Sequence, residues 1–124
     1  MDSAVKKHLA SDSDGLLTYE YIANNINRIT DEMPELIAHM ITCDPNGQFC
    51  VSAARFLNAI DPATHATSIQ TLVAAAIDKD RERAYIGYLL PDLWGTDYAD
   101  NIETLCANDS NFRRIYKRLH PTGI

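Results

Sequence analysis

The chain has 124 residues, with 17 acidic against 11 basic side chains and a net charge of −6. A chain of this length removes about two-thirds of its surface from water on folding, so one core is expected. Hydrophobic residues make up 46% and Gly and Pro number five each, which excludes the fibrous and disordered classes.

Cys43, Cys50 and Cys106 are sparse and odd in number, so reduced thiols are expected in place of a disulfide framework. No stretch of about 18 apolar residues exists to span a bilayer. The opening Met1-Asp2-Ser3-Ala4-Val5-Lys6-Lys7-His8 has no long apolar centre of the kind a secretory signal needs. The expectation is a soluble, acidic, cytoplasmic protein.

A short helix is expected near Asp2 to Leu9, and the polar linker Ser11-Asp12-Ser13-Asp14-Gly15 would leave segment 1–15 mobile. Leu17 or Tyr19 opens an apolar stripe continued by Ile22, Ile26 and Ile29. A second stripe, Leu36, Ile37, Met40 and Ile41, begins after Pro34 and stops at the turn Asp44-Pro45-Asn46-Gly47. Phe49, Ala53, Phe56, Leu57 and Ile60 then share one helical face, as do Ile69, Leu72, Val73, Ala76 and Ile77. Between them Asp61-Pro62 reads as a capping oxygen followed by a proline at the first helical position.

Further along, Tyr85, Tyr88, Leu89 and Leu93 mark a helix that Pro91 should bend or end. Thr96 or Asp97 is expected to cap a helix bearing Tyr98, Ile102, Leu105 and Cys106. Asp109 or Ser110 should cap the last, which carries Phe112, Ile115, Tyr116 and Leu119 and ends before Pro121. Fifteen alanines against three valines favour helix over strand.

The fold expected is all-α, a compact array of about seven short helices forming a single domain over residues 1–124. Phe49, Phe56, Leu57, Ile60, Ile69, Leu72, Val73 and Ile77 are placed inside it. The echo of Ala59-Ile60-Asp61 in Ala76-Ile77-Asp78 is too short to establish an internal repeat.

No phosphate-cradling glycine loop, nucleophile elbow or His-Glu metal motif is present, so neither catalysis nor a cofactor is expected. His39 and Cys43 are four apart on a helix and Cys50 follows seven later. A structural zinc needs a fourth ligand that no nearby Cys or His supplies, and the thiols read as core groups. Asp44-Pro45-Asn46-Gly47 lacks the later acids of a calcium loop and reads as a turn.

Charge is distributed unevenly. From Asp92 to Asp109 there are five acids and no base, whereas Arg113, Arg114, Lys117 and Arg118 follow with no acid. The segment Tyr85-Ile86-Gly87-Tyr88-Leu89-Leu90-Pro91-Asp92-Leu93-Trp94-Gly95 gathers the single Trp, two Tyr and three Leu directly before the acidic run. An aromatic anchor beside an acidic rim suits a protein interface, so Trp94, Asp97, Tyr98, Asp100 and Glu103 are the candidate binding residues and a basic protein the candidate partner. The alternative is a small nucleic-acid-binding regulator using Arg113, Arg114, Lys117 and Arg118. The excess negative charge of the rest of the chain opposes that alternative.

Overall fold

Eight α-helices and three 3-10 turns account for the ordered elements of residues 1–121, the residues described by the structure, a computed structural model; no strand occurs among them. The helices are α1 (Ser3–Ala10), α2 (Leu16–Asn24), α3 (Met33–Cys43), α4 (Gln48–Ile60), α5 (Ala66–Lys79), α6 (Leu89–Trp94), α7 (Ile102–Asn108) and α8 (Ser110–Leu119). The 3-10 turns are Thr30–Glu32, Ile86–Tyr88 and Tyr98–Asp100.

An internal repeat is present, but it is carried by aspartates at helix corners and not by the Ala-Ile-Asp echo. Asp12, Asp44 and Asp80 are each buried between two helical segments. At the first corner, Asp14 and Gly15 N–H donate to Asp12 Oδ1 at 3.2 and 2.8 Å, and the Thr18 N–H and hydroxyl donate to Oδ2 at 2.9 and 2.6 Å. At the second, Asn46 and Gly47 N–H reach Asp44 Oδ1 at 3.1 and 2.9 Å, and Phe49 and Cys50 N–H reach Oδ2 at 3.0 and 2.9 Å. At the third, Ala84 N–H donates to Asp80 Oδ1 at 3.0 Å while Tyr85 and Ile86 N–H donate to Oδ2 at 2.7 and 2.9 Å. Each carboxylate thereby satisfies N–H groups that the start of the following helical segment leaves without intrahelical acceptors.

The residue three after each aspartate has a positive φ: Gly15 at 101°, Gly47 at 86° and Arg83 at 56°. Glycine adopts this backbone without steric cost. A Cβ at Gly15 would meet Asp44 Cβ at 3.3 Å, and one at Gly47 would meet the Ala76 carbonyl oxygen at 3.2 Å and Asp80 Cβ at 3.5 Å. The three corners therefore stack in sequence order, each bare glycine lying against the next unit.

This stack gives the core its continuity. Ala53, Ala54 and Ala76 are fully buried, and α4 packs along α5. Leu36, Met40, Leu57, Leu72, Ile86 and Leu89 fill the space between units, and Phe112 and Ile115 bring α8 onto its end. Segment 1–15 belongs to the stack, since Leu9 enters the core and Asp12 forms a corner.

Several expected boundaries differ. Asp61 ends α4, and its carboxylate accepts from the Thr64 N–H and hydroxyl at 3.2 and 2.7 Å, so Pro62 lies in a turn and α5 starts at Ala66. Pro91 does not break its helix: it occupies the first turn of α6, where an N–H has no intrahelical acceptor. Ile26 and Ile29 lie beyond the end of α2. Of the eight residues placed inside, Leu57, Ile69, Leu72, Val73 and Ile77 are buried, Phe49 and Phe56 are half-buried, and Ile60 is 51% exposed at the end of α4.

Candidate partner-binding surface

Trp94 closes α6 immediately before Gly95, whose φ of 94° turns the chain toward α7. Its indole N–H donates to Asp109 Oδ2 at 2.8 Å, while Asp109 Oδ1 accepts the Phe112 N–H at 3.0 Å as the cap of α8. One carboxylate thus ties the end of α6 to the start of α8. The Trp94 ring meets Phe112 edge-on at 5.3 Å, leaving the indole half-buried and fixed in position.

Beside this tie lies a groove of about 450 Å³. Its apolar lining comes from Ile69 and Val73 of α5 and Leu93 and Trp94 of α6. Four carboxamides, Asn58, Gln70, Asn108 and Asn111, supply donors and acceptors around it. Asp109 is the single charged side chain among the described lining residues, and no cation lines the groove.

The structure divides the residues singled out from the sequence. Trp94 lines the groove; Asp97, Tyr98, Asp100 and Glu103 do not. Tyr98 is half-buried against Phe112, with ring centroids 6.3 Å apart. Asp97, Asp100 and Glu103 are exposed, just before the adjoining 3-10 turn, at its end and in the first turn of α7. None of these three acids belongs to an ion pair among the described residues, where the pairs are the Met1 amine with Glu32, Arg55 with Asp92, and Arg114 with Asp78.

The basic residues of α8 mostly bond within the molecule. Arg113 donates to the Cys106 carbonyl at 2.8 Å and Arg114 pairs with Asp78 at 2.6 Å. Arg118 donates to the carbonyl of Ile77 and, at 2.9 Å, to that of Asp80. It thereby satisfies acceptors at the C-terminal end of α5, where positive charge also complements the helix dipole. Lys117 is exposed.

His39 Nε2 lies 2.7 Å from the Leu9 carbonyl and 3.4 Å from Cys43 Sγ. Burial, with the charges of Asp12 and Asp14, pushes the Cys43 thiol pKa up, and burial beside Asp44 pushes that of Cys50 up further. Neither environment generates a reactive thiolate at neutral pH. Among the described residues no group of three His, Cys, Asp or Glu side chains is arranged to hold a metal ion. Asp44 directs both oxygens at backbone N–H groups, the arrangement of a turn and not of a cation loop.

Two features escaped the sequence reading. The amide lining comes from the end of α4, the start of α5 and the joint between α7 and α8, segments separated in the chain and without a shared motif. Tyr88, one of the residues expected to mark a helix, ends the 3-10 turn Ile86–Tyr88 and is 57% exposed, with the Arg55 guanidinium 5.3 Å from its ring centroid. A smaller hollow of about 310 Å³ adjoins Arg55 and is lined by Tyr19, Ser52, Phe56, Ala59 and Asp92.

No described helix is long and apolar enough to cross a membrane. Comparison with protein-family models, curated proteins and solved structures finds no match to the chain.

Proposed function

We propose that this chain is a protein-binding module that receives its partner at the Trp94 groove and the acidic surface beside it. The observation that carries this reading is a fixed, half-buried Trp at the edge of a groove of about 450 Å³ with no cation among its described lining residues. Rigid aromatic anchors in partly desolvated hollows contribute disproportionately to protein association. Asp97, Asp100 and Glu103, exposed and in no ion pair among the described residues, supply a field that draws a basic partner and accelerates encounter.

The nucleic-acid alternative gains less support, because Arg113, Arg114 and Arg118 would have to exchange intramolecular bonds for phosphate contacts. A photoreactive side chain at exposed Gln70 tests the proposal against the same group at exposed Lys117. Reaction in host extract should yield one discrete protein adduct at position 70, competed by the unlabelled chain. Adducts formed only at position 117, or only with nucleic acid, would contradict it.

A further inference from the structure

We infer that the groove takes an extended peptide segment carrying a lysine or arginine, an inference that rests on the binding-module reading above. The charge of the site selects against anions. Asp109 is the sole charged side chain among its described lining residues, and the exposed acids Asp97, Asp100 and Glu103, in no ion pair among the described residues, lie on the adjoining surface. The N-terminus of α8, which would otherwise attract an anion, already has the Asp109 carboxylate as its cap.

The neutral lining specifies the rest of the ligand. Each carboxamide offers an acceptor oxygen and a two-hydrogen donor, matching the alternating C=O and N–H groups of an extended main chain. Asn58 gives one N–H to the Asp92 carbonyl at 3.0 Å and retains its amide oxygen for a ligand N–H. Ile69, Val73, Leu93 and Trp94 form an apolar wall for one hydrophobic side chain. A volume of about 450 Å³ lies in the range that holds a small ligand or short segment, about 300–1,000 Å³. The basic side chain would then reach Asp109 or the acids on the adjoining surface.

The test uses the full chain as bait for a displayed library of random hexapeptides, with selected sequences resynthesised for fluorescence polarisation. The expected result is enrichment of Lys or Arg at one fixed position beside an apolar residue. Binding should fall about tenfold in Asn108→Ala or Asn111→Ala, the effect of one hydrogen bond lost between groove and peptide. Methylating a main-chain nitrogen of the peptide should weaken binding comparably. Both variants are first checked for an unchanged circular dichroism melt.

Enriched acidic peptides, basic peptides insensitive to both groove substitutions, or groove binding by neutral oligosaccharides in place of peptides would each overturn the inference. A selection with no enriched peptide overturns it as well. The cross-link at position 70 judges the binding-module reading separately: a protein adduct there, without a peptide, means that the module stands and its partner docks through a folded surface.

Discussion

Asp44 is fully buried yet has four backbone N–H groups within 3.1 Å, so its carboxylate exchanges water for a complete set of donors. Removing it strands buried donors at the start of α4. Asp44→Ala should therefore cost about 3 kcal/mol in urea unfolding, toward the upper range for an unsatisfied buried polar group. Gly47→Ala should cost about 1–2 kcal/mol from its left-handed backbone, and more through the Cβ approach to Ala76, with unfolding again the measurement. At Asp12, burial opposes ionisation, but bonds from the Thr18 hydroxyl and N–H, Gly15 and Asp14 outweigh it and hold the carboxyl pKa below the ordinary value. A depressed folded-state pKa contributes stability above the unfolded value, about 3.9, that disappears as pH falls through the folded one. Asp12→Asn should accordingly be less stable than the parent at pH 7, and the difference should shrink on acidification below about pH 4. Equal differences at pH 7 and pH 3 would contradict this account of Asp12.

Among the elements, α3, α4, α5 and α8 were readable because each has an apolar stripe repeated over at least two turns, as in Leu36, Ile37 and Met40 or Leu72, Val73 and Ile77. The boundaries failed where side-chain bonds redirected the chain: Asp61 engages Thr64 in place of capping α5, and Pro91 fits a helix start as readily as an end. Ile60 satisfies the periodicity of α4, but it occupies the last helical position and stays exposed. The corner repeat did leave a trace, since Asp-x-Asp-Gly at 12–15 recurs as Asp-x-Asn-Gly at 44–47. At the third corner Arg83 stands where the glycine would be, which conceals that unit from sequence matching. On α8 the helical pattern was legible, but the direction of Arg114 and Arg118 was set by acceptors on α5 and at its end, 36 to 41 residues away, and that of Arg113 by the Cys106 carbonyl of α7. Arg118→Ala should destabilise the fold by about 1–3 kcal/mol, because hydrogen bonds to a charged group join α8 to the end of α5. Lys117→Ala should change stability by less than about 0.5 kcal/mol, as for an ordinary surface position. Thermal melts of the two variants side by side check this contrast.

Across the whole molecule, stacked corners make stability depend on neighbours: the unit around Asp44 touches one on each side, and that around Asp12 only the next. The groove forms where α8 closes this stack and the ends of α4 and α6 meet the start of α5. Trp94 could be singled out by composition, but the amides converge only in three dimensions, and Asp109 acquires its tie to Trp94 through folding. The proposed electrostatic role gives a separable kinetic signature. Replacing Asp97, Asp100 and Glu103 by Asn, Asn and Gln should slow association with the partner about tenfold at low salt and leave dissociation nearly unchanged, as measured by surface plasmon resonance. The most direct test of groove binding is hydrogen–deuterium exchange of the intact chain with and without the partner captured at position 70. Binding there predicts slowed exchange in residues 66–73 and 108–111 with little change at 1–32; protection confined to 113–118, with the groove segments unchanged, would contradict it.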